Sequence, residues 1–325
     1  MSCEAKGGRK VARIVITEPV AEAGVRILQQ HARVDLLLGL SYEELLGAVS
    51  DCEGLLVRSA TKVTREVVEA AKNLKVIGRA GTGLNNIDTL AARERGIKVV
   101  DASGANAISA AEHTFALLLA VCRKIARANR ALVIEKRWDR HEFVGIELYG
   151  KRLGIIGFGR IGKEVAKRAI AFGMTVIAYD PYVSKDEFTL HGVYPVTFKE
   201  LLTTSDFVSI HVPLTDETRS MIGKNELSLF KKGSILINCA RGEIVDESAL
   251  YDALVRGDLT GAGIDVFAKE PAIGNPLLEL DNVVATPHLG GSTVEAQQRC
   301  AVVVARLMVE ALNGDGSKVQ CQDFG

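Results

Sequence analysis

Short apolar runs alternate with amphipathic segments along most of the chain. The apolar runs have the length of strands that are buried on both faces, and the amphipathic segments have the spacing of helices packed on one side. This alternation predicts an α/β fold with parallel sheets and helices on their faces. In the first part of the chain the predicted strands are Arg13–Thr17, Val34–Leu38, Gly54–Val57, Lys75–Gly78 and Ile97–Val100, and the predicted helices are Val20–Gln30, Ser41–Val49, Arg65–Ala71 and Asn86–Arg95.

A long apolar helix interrupts this alternation. It is predicted over Ala107–Ala131 and is followed by a polar stretch that contains the only tryptophan, Trp138. Because apolar side chains lie on several of its sides, the helix is expected to be packed rather than solvated. The alternation then resumes with strands predicted at Arg152–Ile156, Thr175–Tyr179, Asp206–Ile210, Ser234–Asn238, Gly263–Val266 and Val283–Ala285, and a closing helix is predicted over Val294–Asn313.

These elements predict two α/β domains, each with a doubly wound parallel sheet. The first is expected to comprise residues 1–104 and the second residues 105–291. The closing helix, with residues 292–325, is expected to return to the first domain. The second domain would then be inserted in the first domain, which would be discontinuous in sequence.

The composition limits the classes of partner. Lys and Arg number 40, as do Asp and Glu, so the formal net charge is zero, which argues against nucleic acid as a partner. The longest apolar stretch, around Phe115–Cys122, is too short to cross a membrane, and no apolar segment typical of a signal peptide follows the first residues. The six cysteines are scattered, which favours reduced thiols and a cytoplasmic protein, and no residues have zinc-ligand spacing, so no metal is expected.

A glycine-rich segment follows the first predicted strand of the second domain. Gly157, Gly159 and Gly162 form the pattern G-x-G-x-x-G between that strand and a helix, which favours a Rossmann turn that binds a dinucleotide pyrophosphate. Asp180 ends the next strand, where a carboxylate binds the ribose hydroxyls and repels a 2′-phosphate. NAD is therefore favoured over NADP, and Lys185 is the nearby cation that keeps NADP open.

Three polar residues follow the last three predicted strands. Arg241, Glu270 and His288 come after the segments SILINCA, GIDVFAK and VVATP. A neutral imidazole can accept an alcohol proton while hydride leaves carbon, a carboxylate can fix its tautomer, and a guanidinium can bind a carboxylate. The three residues together favour oxidation of a small 2-hydroxy acid.

The segments GFGRIG, NCARGEIVDESAL, GAGIDVFAKEP and TPHLGGST resemble those of the D-isomer-specific 2-hydroxyacid dehydrogenases, and the resemblance extends over nearly the whole chain. It implies a Rossmann NAD-binding domain inserted in a discontinuous substrate-binding domain, with Arg241, Glu270 and His288 as catalytic residues. Glu270 argues against a formate dehydrogenase, which has glutamine at this position. The further cofactor contacts that it implies are Thr82, Arg160, Ile161, Val212, Pro213, Cys239, Ala240, Asp265 and Gly290.

Two loops of the first domain indicate the substrate. The segments VRSATKV and GRAGTG, with Arg58, Ser59, Arg79 and Gly81, resemble those of family members that oxidise D-3-phosphoglycerate to 3-phosphohydroxypyruvate, the first step of serine synthesis. The resemblance implies that Arg58 binds the substrate phosphate with Arg79 nearby. The segment RWDRHEFVGIEL implies that Arg140 reaches a neighbouring subunit's site.

Two alternatives stay open. A glyoxylate or hydroxypyruvate reductase of the same family has the same three catalytic residues, and so does a transcriptional corepressor of the C-terminal-binding type, which binds NAD. The loops with Arg58 and Arg79 argue against both. The long helix and the stretch around Trp138 favour a homodimer formed through the nucleotide-binding domain.

Overall fold

The structure is a computed structural model that describes residues 11–314. Its internal contacts divide these residues into two compact units, one comprising residues 11–106 and 292–314 and the other Ala107–Gly291. Each unit contains one parallel sheet with helices on both faces. The predicted fold class is therefore confirmed, while the assignment of substrate binding to the first unit stays a prediction.

The first unit has a five-stranded parallel sheet in the order β2-β1-β3-β4-β5. Side chains from one strand point alternately to two apolar layers, so that Val15 and Leu55 pack on one side and Ile14 and Leu56 on the other. The strands are β1 (Arg13–Ile16), β2 (Arg33–Leu36), β3 (Gly54–Val57), β4 (Val76–Arg79) and β5 (Lys98–Asp101).

The helices of the first unit divide between the two faces of its sheet. The last of them packs closely on β4, where a Cβ atom on Gly78 would lie 2.8 Å from the side chain of Val304. Glycine at this position therefore allows a close approach between helix and strand. The helices are α1 (Glu22–Gln29), α2 (Tyr42–Val49), α3 (Arg65–Ala70), α4 (Thr89–Glu94) and, from the end of the chain, α12 (Val294–Asn313).

The second unit has a seven-stranded parallel sheet in the order β12-β11-β10-β9-β6-β7-β8. The order reverses between β6 and β9, as in dinucleotide-binding sheets, and ligands bind at such reversals beyond the carboxyl ends of the strands. The strands are β6 (Arg152–Ile156), β7 (Thr175–Tyr179), β8 (Tyr194–Pro195), β9 (Phe207–Ile210), β10 (Ser234–Asn238), β11 (Leu259–Ile264) and β12 (Val283–Ala285). The helices are α5 (Ala107–Cys122), α6 (Ile125–Val133), α7 (Arg160–Ala171), α8 (Lys185–Leu190), α9 (Phe198–Thr204), α10 (Lys224–Leu229) and α11 (Glu247–Arg256), with 3-10 turns at Gly242–Ile244 and Pro276–Glu279.

The prediction of one helix over Ala107–Ala131 was wrong. The chain turns between α5 and α6, and Lys124 has a positive φ of 52°. The segment that precedes β6 accounts for the end of α5, because the N–H of Ile146 donates to the carbonyl oxygen of Cys122 at 2.9 Å. A Cβ atom on Gly145 would lie only 2.5 Å from that same oxygen, so the segment packs directly against the end of α5. This contact is far apart in sequence and could not be inferred from helix periodicity.

The predicted strand Gly263–Val266 was also misplaced, since β11 begins earlier, at Leu259. Glycine weakens a strand when nothing packs on it, so Gly261, two residues before Gly263, masked the first part of this strand. In the fold both glycines lie beneath α5, and Cβ atoms there would come within 2.9 Å of Val121 and Leu117. The short edge strand β8 was not predicted.

Among residues 11–314, no helix is both long and apolar enough to cross a membrane. Within the same range, no group of three His, Cys, Asp or Glu side chains is arranged to hold a metal ion. Cys52, Cys122, Cys239 and Cys300 are free thiols, whereas Cys3 and Cys321 lie outside the described residues.

Candidate active site

The glycine turn between β6 and α7 has the backbone that a dinucleotide site requires. Gly157 has a φ of 92°, and a Cβ atom there would lie 2.8 Å from the backbone of His211 and Val212. A Cβ atom on Gly162 would lie 2.2 Å from the carbonyl oxygen of Gly157. A Cβ atom on Gly159 would meet nothing within 4 Å. The first and third glycines therefore close the turn, and the second leaves its outer side open for a ligand.

The open side of this turn leads to the first residues of α7. Gly159 is the N-cap of the helix and offers no side chain to the N–H groups of the first turn, where Arg160 and Ile161 lie. Backbone N–H groups at a helix N-terminus point outward along the helix axis and favour binding of a phosphate. The cradle therefore fits a dinucleotide pyrophosphate.

Asp180 links this turn to the end of β7. Its Oδ2 accepts the N–H of Phe158 at 2.8 Å and its Oδ1 accepts the N–H of Tyr182 at 3.0 Å. A carboxylate oxygen has more than one lone pair, so ribose hydroxyls can still donate to it. Val212 and Pro213 follow β9, and Val212 packs against the glycine turn. These positions fit the predicted cofactor contacts, which stay predictions.

Three neighbouring strands bring the predicted catalytic residues to one edge of the sheet. Asn238 of β10 pairs with Ile264 of β11, and Ile264 pairs with Ala285 of β12. Since these strands are parallel and in register, the segments that follow them leave from the same edge.

The turn after β10 carries Arg241. The Asn238 side chain shapes this turn, donating to the carbonyl oxygen of Arg241 at 3.0 Å and accepting the N–H of Ala240 at 3.0 Å. The Arg241 guanidinium donates to the Ala240 carbonyl oxygen at 2.6 Å. A Cβ atom on Gly242 would lie 1.9 Å from the backbone of Phe267, so this turn packs directly on the segment that leads to Glu270.

Glu270 and His288 are in direct contact. The Nδ1 of His288 lies 3.0 Å from Oε2 and 3.2 Å from Oε1 of Glu270. Oε1 also accepts the N–H of Phe267 at 3.2 Å, which orients the carboxylate. Within residues 11–314 no hydrogen bond forms to Nε2 of His288, and both side chains are partly exposed. The imidazole can therefore accept a proton at Nε2 while the carboxylate stabilises its charged form.

The backbone of the turn Thr286–Gly290, which carries His288, wraps around the side chain of Asp265. Oδ1 accepts the N–H of Leu289 and Oδ2 accepts the N–H of Gly290, both at 2.7 Å. Thr286 donates its hydroxyl to Oδ1 at 2.6 Å. His288 itself has a φ of 57°, which an ordinary residue adopts only when its surroundings hold it there.

His113 of α5 completes this network. Its Nε2 lies 3.2 Å from Oδ1 of Asp265 and 2.9 Å from the Thr286 hydroxyl. The Asp265 side chain is only 1% exposed. Burial acts to raise its pKa, but the hydrogen bonds from His113, Thr286, Leu289 and Gly290 outweigh burial and hold the pKa below its usual range. Asp265 is therefore a charged anchor for the His288 turn, and its predicted contact with the cofactor stays a prediction.

Cys239 and Ala240 lie between β10 and Arg241 and are largely enclosed. Burial raises the pKa of the Cys239 thiol to about 12. The thiol is thus protonated at neutral pH, which favours a packing role over a redox role.

In the first unit, Arg58 and Ser59 follow β3. The Nη1 of Arg58 donates to the carbonyl oxygen of Pro19 at 3.2 Å, and Ser59 is exposed. Three backbone N–H groups of this loop donate to the carboxylate of Glu18, which follows β1. The loop therefore projects a cation from a backbone that is held in place.

Arg79 and Gly81 form a second loop, after β4. The Nε of Arg79 donates to Oδ1 of Asn86 at 2.9 Å, and its Nη1 donates to the carbonyl oxygen of Thr82. The hydroxyl of Thr82 accepts from Asn106 at 3.1 Å. The structure thus gives Arg79 protein partners rather than an open guanidinium.

Arg140 is exposed in the segment between α6 and β6. Several residues of these networks were missed from sequence, among them Glu18, Asn86, His113 and Thr286. Glu18 and Thr286 carried a usable signal, because each directly follows an apolar strand-like run. His113 lies within a helix, and no local pattern distinguishes it.

Comparison with known proteins identifies the family. Residues 115–290 match the model of the D-isomer specific 2-hydroxyacid dehydrogenase, NAD binding domain. The chain is 50% identical over 306 residues to D-3-phosphoglycerate dehydrogenase of Methanocaldococcus jannaschii, covering 94% of this chain and 58% of the relative. It is 49% identical over 304 residues to the enzyme of that name from Archaeoglobus fulgidus, covering 93% of this chain and again 58% of the relative. The chain thus spans less than two thirds of the length of these relatives.

A solved structure is similar over almost the full length of both chains. The TT0316 protein from Thermus thermophilus superimposes with a TM-score of 0.84 at 38% identity, covering 93% of this chain and 97% of that one. The matched family domain contains the glycine turn, Asp180 and all three residues of the Arg241, Glu270 and His288 set. The chain belongs to the D-isomer-specific 2-hydroxyacid dehydrogenase family, and its second unit contains the NAD-binding domain of that family.

Proposed function

We propose that this protein oxidises D-3-phosphoglycerate to 3-phosphohydroxypyruvate with NAD, the first step of serine synthesis. The contact between Glu270 and His288 at 3.0 Å, at the sheet edge that also carries Arg241, is the observation on which the proposal rests. The relatives named D-3-phosphoglycerate dehydrogenase support the choice of substrate.

The three residues divide the chemistry among them. Nε2 of His288 accepts the proton of the C2 hydroxyl, and Glu270 at Nδ1 stabilises the imidazolium that results. The Arg241 guanidinium binds the substrate carboxylate and the C2 oxygen. NAD, when bound, would accept the hydride. Gly159 and Asp180 would hold that cofactor at its pyrophosphate and ribose.

Arg58 is the proposed ligand of the substrate phosphate. A guanidinium forms paired hydrogen bonds with phosphate oxygens, which gives both affinity and orientation. The neighbouring Ser59 is exposed and adds a hydroxyl donor. Phosphorylated hydroxy acids should therefore be preferred over glyoxylate and hydroxypyruvate.

A substrate panel with NAD and NADP tests this function. We expect NADH formation from D-3-phosphoglycerate and little turnover with NADP, because Asp180 repels a 2′-phosphate. His288→Ala should lower kcat by about 100-fold or more, the usual contribution of a general base. The control is His31→Ala, which removes an exposed histidine. Full activity of His288→Ala would contradict the mechanism, and a preference for glyoxylate or hydroxypyruvate would favour the reductase alternative.

We also propose a homodimer formed through the nucleotide-binding domain. Helix α6 and the segment after it expose a set of large apolar side chains, which marks an interaction surface. Arg140 lies in the same segment, consistent with its reaching the neighbouring subunit's site. The exposed side chains are Ile125, Leu132, Val133, Ile134, Trp138 and Val144.

Sedimentation of wild type and Leu132→Glu tests the dimer. The charge should shift the protein to monomer, whereas Leu190→Glu, a change at another exposed leucine of the same unit, should not. A wild-type monomer at micromolar concentration would overturn this proposal.

A cytoplasmic location is proposed from the scattered cysteines, and cell fractionation tests it.

A further inference from the structure

We propose that Glu18 and Asn86 are positioning residues for phosphate recognition, which hold the Arg58–Thr61 loop in the conformation that binds the substrate phosphate. The inference rests on the proposed function for the identity of that substrate. Neither residue needs to touch substrate for this role.

Glu18 binds the N–H side of the loop. Its carboxylate accepts the N–H of Arg58 at 2.8 Å, of Ala60 at 3.0 Å and of Thr61 at 2.9 Å. These bonds use both carboxylate oxygens, and each is strengthened by the negative charge. The side chains of Thr17 and Thr61 also lie 2.8 Å apart. The loop thus folds around an anion that belongs to the protein.

Asn86 binds the carbonyl side of the same loop. Its Nδ2 donates to the carbonyl oxygens of Arg58 at 2.9 Å and Thr61 at 2.7 Å. Its Oδ1 accepts from Nε of Arg79 at 2.9 Å, which fixes the orientation of the amide. Arg79 therefore acts on the loop through Asn86, and this assigns it a supporting role rather than direct contact with phosphate.

The hydrogen bonds with Glu18 and Asn86 hold the Arg58–Thr61 loop on both sides, which affects its affinity for an anion. An arginine on a loose loop must lose backbone freedom when it binds an anion, and that loss weakens binding. Arg58 and Ser59 project from a backbone whose conformation is already fixed, so less freedom is lost. The benefit applies only to ligands that carry a group for Arg58 to bind. Loss of the hydrogen bonds with Glu18 and Asn86 should therefore weaken the binding of phosphorylated substrate alone.

Glu18→Gln is the test variant, because glutamine keeps the size but removes the charge and one acceptor oxygen. We expect the KM for D-3-phosphoglycerate to rise about ten-fold, the effect of losing a charge-assisted hydrogen bond. The kcat should change little, and turnover of an unphosphorylated 2-hydroxy acid should stay unchanged. Glu22→Gln is the matched control, since Glu22 is exposed and pairs with Arg26 in α1.

A double variant separates positioning from general stability. In an Arg58→Ala background, Glu18→Gln should add little to the KM, because both changes act through the same contact. Amide hydrogen exchange of residues 58–61 should accelerate in Glu18→Gln and in Asn86→Ala. Equal KM changes for both substrate classes, or an unchanged KM for D-3-phosphoglycerate, would overturn the inference.

The outcome also distinguishes this inference from the proposed function. If wild type does not oxidise D-3-phosphoglycerate, the proposed function is wrong whatever the variants do. Calorimetry with inorganic phosphate then decides whether Glu18 prepares an anion site. Weaker binding by Glu18→Gln than by Glu22→Gln supports the inference, and equal affinities overturn it.

Discussion

The His288 turn of the second unit and the Arg58 loop of the first unit are built in the same way. In each, an acid that follows one strand accepts backbone N–H groups from the segment after the neighbouring strand. Asp265 follows β11 and holds the turn after β12, whereas Glu18 follows β1 and holds the loop after β3. Parallel pairing in register brings both acids to these segments.

The two anchors differ in burial. The Asp265 side chain is 1% exposed and has His113 and Thr286 as further partners, whereas Glu18 is only partly buried. A lost anchor leaves backbone N–H groups without an acceptor, and the cost depends on whether water can replace it. The turn that carries the proposed proton acceptor is thus held by a more deeply buried acid than the loop proposed to bind phosphate.

Among the tests of this comparison, the largest effect on stability and activity should come from Asp265→Asn. The amide leaves one buried N–H without an acceptor, so the free energy of unfolding should fall by about 2 kcal/mol. Because His288 then loses its fixed position, kcat should fall by about 10- to 100-fold with a smaller change in KM. Chemical denaturation and steady-state kinetics measure both, with Asp252→Asn at an exposed site of α11 as control. Decreases in unfolding free energy and kcat no larger than those caused by Glu18→Gln would contradict the difference that we infer between the two acids.

A smaller effect on stability is expected when Glu18 is protonated at low pH. Burial acts to raise the pKa of this carboxyl, but the backbone N–H groups of Thr61, Ala60 and Arg58 outweigh it and lower the pKa. A lowered folded-state pKa means that the stabilisation is present above the unfolded pKa and is lost as the pH falls through the folded value. The difference in unfolding free energy between wild type and Glu18→Gln should therefore shrink in acid. A constant difference from neutral to acidic pH would contradict this assignment.

The smallest effect is expected at Cys239, which lies beside the Arg241 turn. Because burial raises its pKa to about 12, the thiolate is scarce at neutral pH and alkylation should be slow. Incubation with iodoacetamide at neutral pH should leave activity unchanged, with a small exposed thiol as the reference for the rate. Rapid inactivation that Cys239→Ala abolishes would show that this edge of the sheet is more open than the Asp265 network suggests.

Much of the architecture followed from local pattern. The closing helix Val294–Asn313 and strands such as β3, β6 and β10 were predicted with their observed bounds, because continuous apolar runs and a helical spacing need no distant contact to be recognised. The break after α5 and the early start of β11 were missed. Both depend on packing against distant segments, at Gly145 for the helix and at Leu117 and Val121 for the strand.

The sequence by itself determined the fold class, the glycine turn and the residue types of the Arg241, Glu270 and His288 set, because strand ends and turn glycines are local features. Only the tertiary structure decided which acid holds which loop. Glu18 and Arg58 are 40 residues apart, and their hydrogen bond forms only after parallel strands align their carboxyl ends. His113 and Asp265 are 152 residues apart, and their contact forms only after helix α5 packs on the sheet beside β11.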